Sequence, residues 1–229
     1  MSKSRVLARS FCILITMKIQ IISLFPEVFD PILNSSMLLK ASKNGLVEFS
    51  HIDLRDFGLG FRKRVDDIPY GGGDGMVLMV EPLVKAIEKA KDNDPEALVV
   101  LPTPRGKTYV QSEANKLSQS QGLIIICPHY EGYDERLTTW VDHQYSIGQY
   151  VVTGGEIPAM IIIDSVVRLI PGVLGGEGSA ANDSFQGDDQ TIEHPQYTRP
   201  EDFRGRKVPS VLLSGHHQKI ADWRKNHQL

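Results

Sequence analysis

Apolar residues in this chain fall into short blocks separated by amphipathic stretches, and the spacing within each block names the element. Residues 18–25 and 46–52 read as strands. Between them, residues 31–43 carry a helical pattern that stops at Asn44-Gly45, a helix-ending pair. Pro82 at a helix start leads LVKAIEKAK, residues 97–101 then predict a buried strand, and Pro102-Thr-Pro-Arg-Gly106 predicts a turn. Residues 111–120 read as a helix with a polar face and residues 123–127 as another buried strand. A strongly apolar helix is expected over 157–169, stopped by Pro171-Gly172. Apolar strands alternating with helices predict an α/β fold with a parallel sheet covered on both faces. Ligands of such sheets bind at the carboxyl ends of the strands.

Gly, Ser, Asn and Asp dominate residues 172–189 (GVLGGEGSAANDSFQGDD), the composition of a mobile linker. Beyond it, residues 197–229 are basic and rich in turn formers up to a helical stretch containing Trp223. Residues 66–75 and 146–158 fit no regular element, and no internal repeat is visible. The opening MSKSRVLARSFCILIT has the charge and apolar run of a secretory signal but flows into KIQIISLF without a small-residue cleavage site. Residues 1–16 are therefore expected to be dispensable, with the folded chain starting at Met17.

Charge adds an asymmetry. The 229 residues hold 25 Lys and Arg against 28 Asp and Glu, a formal net charge of -3. From His194 onward, 7 basic residues (Arg199, Arg204, Arg206, Lys207, Lys219, Arg224 and Lys225) face 3 acids. A basic end on an acidic body fits an anionic partner gripped mainly by that end, and it also fits an ordinary solvated surface. The longest apolar run, residues 11–25, is broken by Lys18 and Gln20, so no membrane-spanning helix is expected. Cys12 and Cys127 make neither a disulfide framework nor a paired-thiolate zinc site, and the chain reads as cytoplasmic.

The glycine-rich stretches invite a phosphate-site reading that their details refuse. Residues 71–75 lack the Lys-Ser/Thr pair of a P-loop, and Gly176-x-Gly178-x-x-Ala181 lacks the strand before and the helix after. Residues 182–193 mimic a calcium-loop frame but place Asn182, Ser184 and Gln186 where carboxylates are needed. Three loops that each follow an apolar strand remain: 101–106, 128–132 and 146–158. Gly132, Gly148, Gly154 and Gly155 would let backbone approach a flat heteroaromatic ligand. Tight turns at sheet ends would look the same, and spacing alone does not choose.

Longer motifs choose. MKIQIISLFPEVFDP at 17–31, IPYGGGDGMVL at 68–78, YEGYDER at 130–136, SIGQYVVTGGEIPAM at 146–160, RLIPGVLG at 168–175, DSF at 183–185, HPQYTRP at 194–200 and GHHQKIADWR at 215–224 resemble the bacterial tRNA (guanine-N1)-methyltransferases, of the SPOUT class. The resemblance runs from Met17 to Arg224 in order. It implies a homodimer with a deep trefoil knot in a large domain over 17–175, a linker over 176–193, and a small, mainly helical tRNA-binding domain over 194–229. It also implies S-adenosylmethionine held by the three loops. Those contacts would come from Leu101, Pro102, Thr103, Pro104 and Gly106 in the first; Pro128, Tyr130, Glu131 and Gly132 in the second; and Ser146, Ile147, Gly148, Gln149, Tyr150, Val151, Val152, Gly154, Gly155 and Pro158 in the third. The methyl acceptor would be N1 of the guanine at position 37 of tRNA, just 3′ of the anticodon, with the active site shared between subunits.

That reaction asks for particular groups. Guanine N1 carries a proton, so a base must remove it, and the negative charge that spreads onto O6 needs a cation. By resemblance, Asp183 is the base and Arg168 meets O6; from composition alone they would read as a turn acid and a helix-terminal cation. Glu131 matches a family carboxylate near the methionine end of the cofactor. Tyr130 reads equally as a packed aromatic, Trp223 as the core anchor of the small domain, and His216 and His217 as phosphate contacts or packing. No metal ligands are assigned, while the family's use of magnesium carries over as an expectation. Where the family has Cys-Gly-Arg-Tyr-Glu-Gly, this chain has Cys127-Pro-His-Tyr-Glu-Gly132, and Gln149 stands for an Asp. Relatives continue further past the Trp-Arg pair, so a shortened small domain is expected. A SPOUT methyltransferase acting on another RNA, or an RNA-binding protein without catalysis, stays open at this level.

Overall fold

The computed structural model describes residues 16–175 and 183–229. The proposed extension, Cys12 and the glycine-rich start of the linker lie outside the described residues, apart from Thr16. In chain order the elements are β1 (Met17–Ser23), a 3-10 turn (Pro26–Phe29), α1 (Asp30–Leu33), α2 (Ser36–Lys43), β2 (Val47–Asp53), the short pair β3 (Asp66–Asp67) and β4 (Val77–Leu78), and α3 (Val80–Asn93). Then come β5 (Leu98–Thr108), α4 (Gln111–Leu117), β6 (Gly122–Ile126), β7 (His143–Ser146) and α5 (Glu156–Val167). The last segment holds β8 (Asp202–Phe203), β9 (Arg206–Lys207), α6 (Ser210–Leu213) and α7 (His217–Asn226).

The expected α/β fold is present as a five-stranded parallel sheet in the order β2-β1-β6-β5-β7. Its interior strands are buried on both faces, as their unbroken apolar runs require. On β6, Leu123 and Ile125 join the cluster under α2, α4 and α5, while Ile124 and Ile126 join the cluster under α3. Each fully buried aliphatic side chain contributes about 1.5–3 kcal/mol. Gln20, one of the polar residues that broke the apolar opening, is 2% exposed; it donates to the Ala90 carbonyl at 2.8 Å and accepts from Asn93. Among the described residues no helix is long and apolar enough to cross a membrane.

Three expectations are corrected. The helix over 31–43 is broken into α1 and α2, because Asn34 Nδ2 and Ser35 Oγ bond back to the Asp30 and Ile32 carbonyls and compete with helix continuation. The turn expected at 102–106 is a bow within β5. The strand pairs with β7 at Val100 to Pro102, loses register, and pairs again at Lys107 and Thr108. Pro102 and Pro104 have no N–H to offer a ladder, and Gly106 lies so close to Gln144 and Tyr145 that a Cβ would collide with their backbone. The strand β7 itself was not expected, since of its four residues only Tyr145 is buried.

In the carboxy-terminal segment, α6 and α7 bury no residue completely. Trp223 is half-buried rather than a core anchor, stacking on His227 at 4.1 Å with His194 and Tyr197 edge-on at 6.1 Å. Residues 183–193 are fastened at several points. Asp189 accepts from Ser112 N at the start of α4, and Ile192 and Leu229 exchange backbone hydrogen bonds.

Candidate active site

A cavity of about 420 Å³ opens at the carboxyl ends of β5, β6 and β7, where a parallel sheet is expected to bind. The three loops singled out from the sequence converge on it. The bow of β5 supplies Pro102, Thr103 and Pro104. The loop after β6 supplies Pro128, Tyr130, Glu131 and Gly132. The loop after β7 supplies Ser146, Ile147, Gly148, Tyr150, Val151, Val152, Gly154, Gly155 and Pro158.

Three expected residues are not on the wall. Leu101 is fully buried in the core under α3, Gly106 packs against β7, and the Gln149 side chain is exposed outside the lining. Arg105, His129, Tyr133, Glu135, Tyr145 and Thr153 line the cavity without having been assigned. Arg105 and Thr153 lie inside the loops singled out from the sequence, Tyr133 and Glu135 inside the YEGYDER motif, and His129 is a departure inside a recognised motif; Tyr145 reaches the wall through a strand the sequence did not reveal.

The loops brace one another. Gly155 N donates to Pro128 O at 2.6 Å, and Tyr133 OH donates to Thr103 Oγ1 at 3.1 Å. Glu131 N donates to Met76 O at 3.0 Å and Leu78 N to Gly132 O at 2.9 Å, pinning the second loop to β4. Gly132 sits at φ +125, a conformation that favours glycine. Burial, with the nearby Asp66, pushes the Tyr130 hydroxyl up, so it stays a neutral donor.

Below the wall, Tyr145 OH donates to Glu113 Oε2 at 2.7 Å, and Glu113 also meets Lys107 and Lys116. Burial pushes the Glu113 carboxyl up, but hydrogen bonds from Lys107, Lys116 and Tyr145 outweigh it and hold it at about 2.

A flat, partly apolar ligand with hydrogen-bonding edges suits this wall. Prolines 102, 104, 128 and 158 with Ile147 and Val152 give apolar faces. Among the described residues, the backbone N–H groups from Gln149 to Thr153 find no acceptor in the chain. His129 Nδ1 is buried without a hydrogen-bond partner. The residues present therefore fit an adenosyl cofactor. For magnesium the donors do not assemble: among the described residues no three His, Cys, Asp or Glu side chains gather. His216 instead caps α7, its Nδ1 accepting from Lys219 N.

Arg168 and Asp183 are brought together, with Nη2 and Oδ2 2.6 Å apart and both side chains 32% exposed. Neither lines the cavity. Arg168 is the C-cap of α5, whereas Gly155 on the cavity wall is its N-cap. The 12 residues between them span about 18 Å.

Residues 17–229 match the family described as tRNA (Guanine-1)-methyltransferase TrmD. The tRNA (guanine-N(1)-)-methyltransferase of Geobacillus kaustophilus is 50% identical over 214 residues, covering 93% of this chain and 87% of that protein. Its counterpart from Geotalea uraniireducens is 51% identical over 214 residues, covering 93% and 86%. The crystal structure of tRNA (m1G37) methyltransferase from Aquifex aeolicus superimposes with a TM-score of 0.77 at 37% identity, covering 93% of this chain and 89% of that one. By matched length, identity and fold together, the chain belongs to the tRNA (guanine-1)-methyltransferase family.

Proposed function

We propose that this protein transfers a methyl group from S-adenosylmethionine to N1 of guanine at position 37 of tRNA, beside the anticodon. The observation that carries the reading is a pair of half-sites. A cavity with open main-chain donors sits at one end of α5, and a carboxylate and a guanidinium sit together at the other.

When bound, the cofactor would supply an electrophilic methyl group, whose bond to the sulfonium sulfur breaks as the N1–C bond forms and leaves a neutral thioether. The cavity loops hold it, with backbone N–H groups of the 146–158 loop as donors and the proline faces excluding water. Asp183 accepts the N1 proton of guanine as the new N–C bond forms, and Arg168 stabilises the charge that builds on O6. These two side chains are paired with each other at 2.6 Å. Guanine, with an N–H donor beside a carbonyl acceptor, presents the matching pair of groups and can insert between them. Adenine offers no proton at N1 and no O6, so the same pair rejects it.

Along α5 the backbone of Arg168, the partner of the base, is separated from the cavity wall at Gly155 by about 18 Å, and neither Arg168 nor Asp183 lines the cavity of its own chain. We therefore assign the working site to a homodimer in which each pocket faces the partner's Asp183 and Arg168. Ile157 and Ile161 on the outer side of α5, with Val28 and Ile32 nearby, are exposed apolar residues suited to such an interface. The trefoil knot belongs to the same reading. Its support is the close passage of the 146–158 loop beneath the 128–132 loop, joined at Gly155 and Pro128. The basic segment from His194 onward grips tRNA phosphates, and tRNA as substrate places the work in the cytoplasm.

The test is tritium transfer from labelled S-adenosylmethionine to tRNA transcripts carrying guanine or adenine at position 37, with and without magnesium. Label in the guanine transcript alone, recovered as 1-methylguanosine, is expected. Label elsewhere in the RNA would point to another target, and none at all would leave an RNA-binding protein.

A further inference from the structure

Beneath the wall where the second and third loops meet lies a cluster the mechanism has not used. Glu156, in the first turn of α5, is 7% exposed. Its Oε1 accepts from Ser23 Oγ at 2.9 Å at the end of β1. Its Oε2 faces His129 Nδ1 at 3.7 Å, too long for a hydrogen bond. The His129 ring is held edge-on between Phe25 and Tyr130, at centroid distances of 5.0 and 5.2 Å, so its orientation is fixed. Nδ1 is buried and has no partner. The cofactor loop rests directly on this pair: a Cβ at Gly154 would run into both Glu156 Oε2 and His129 Nδ1. Any change in the separation of the two side chains is therefore felt at residue 154 of the cavity wall.

Other charged or titratable groups around the ring do not replace Glu156. On its own loop, Cys127 is buried, its thiol pushed well up by burial and by Glu156, and Tyr130 is likewise pushed up, so both stay neutral. Glu131 turns the other way, packing on Gly75. From neighbouring elements, Asp66 and Arg55 act on Tyr130, and Arg55 covers the Phe25 ring and bonds the Leu24 carbonyl. The buried carboxylate is the anion in line with Nδ1, and a partly satisfied buried anion is stabilised chiefly by a cation with good geometry.

We propose that His129 is a positioning residue for the cofactor cavity: in its charged form it closes onto Glu156 when the cavity fills, latching the 128–132 loop to the start of α5. The inference rests on the reading of the cavity as the cofactor site. Closure of about 1 Å brings the pair to the length of a charge-assisted hydrogen bond. An imidazole changes charge between about pH 5 and 8, whereas the arginine that the family motif carries at this position does not. The latch thus makes cofactor affinity depend on pH in this chain. It is engaged on the acid side, and its contribution fades as the imidazolium loses its proton on the alkaline side.

The test is titration calorimetry of the full chain with S-adenosylmethionine between about pH 6 and pH 8, in buffers of different ionisation heat. Wild type, His129→Gln and His129→Arg are compared. The ligand's own amino group titrates in this range for all three, so the reading is the difference between proteins. Wild type should take up more protons on binding than His129→Gln and lose affinity with rising pH by as much as roughly tenfold per unit more steeply than it. His129→Arg should restore tight binding with no such extra dependence. If His129→Gln binds with wild-type affinity and proton uptake, the latch is wrong and the cofactor site stands. If both variants lose affinity equally at every pH, His129 acts by shape alone and the proposal also fails. Wild type that binds no S-adenosylmethionine would overturn the cofactor reading itself.

Discussion

Glu113→Gln probes the support of the cavity floor. The wild-type carboxylate is nearly buried, its side chain 8% exposed, and receives Lys107 Nζ and Tyr145 OH at 2.7 Å and Lys116 Nζ at 2.8 Å. Moving a carboxyl from 4.5 to about 2 is worth about 3 kcal/mol of folding free energy at face value. The two ammonium groups are 55% and 68% exposed, so water screens part of it and about 2 kcal/mol remains. For a chain of this size that is a fall in Tm of about 4–8 °C.

The sign in pH follows from the depressed value. The carboxylate's contribution is complete above about 4.5 and is lost as pH falls toward 2. Thermal unfolding of wild type and Glu113→Gln should therefore differ most near neutrality and converge in acid. Tyr145 lines the cavity, so the variant, with its hydroxyl bonded differently, should also bind S-adenosylmethionine more weakly at neutral pH. Equal Tm values at neutrality, or a gap that persists undiminished in strong acid, would refute the reasoning.

Asp183→Ala should lower kcat by about 100-fold or more while leaving cofactor affinity nearly unchanged, because the base lies outside the cavity; steady-state kinetics with calorimetry decides it. Mixing Asp183→Ala with Gly154→Trp, each inactive alone, should recover activity in about one site in four after subunit exchange; silent mixtures in which mixed dimers are demonstrated would reject the shared site. Replacing Arg224 and Lys225 together by Ala should flatten the salt dependence of tRNA binding by about 2 in log–log slope, if both meet phosphates. An unchanged slope would remove them from the RNA surface.

Legibility in the sequence followed burial. The strands β1 and β6 could be read because a sheet covered on both faces demands continuous apolar runs, and the edge strand β2 could be read because its seven residues follow a helix-ending Asn44-Gly45. The strand β7 was hidden because it lies at an edge with one buried residue, and edges impose little pattern. Two prolines in β5 look like a turn from the sequence; in the fold they produce a bow that keeps its strand direction while pushing four residues onto the cavity wall. The site loops were legible through their glycines and through the family motifs. Leu101, Gly106 and Gln149 lie off the cavity wall because a motif marks a segment, whereas which side chain faces the cavity depends on strand alternation and loop curvature. The proximity of Arg168 and Asp183 had no local signal, since it depends on how the segment after α5 returns.

The helix α5 ties these facts into one design. Its N-cap is on the cavity wall, its first turn holds the carboxylate that faces His129, and its C-cap is the arginine paired with Asp183. A straight rod cannot bring its own two ends together. A two-fold axis crossing it near the middle does so between copies, because antiparallel helices set the start of each beside the end of the other. Ile161, exposed near the middle of α5, lies where such an axis would bring it against its own counterpart, and Ile157, exposed in the first turn, would face the partner's last turn. On that reading, the length of α5 is fixed by chemistry as much as by packing. In the proposed dimer the same helix would space the cofactor from the base and, through its exposed apolar side, supply the contact that brings the partner's base to the pocket.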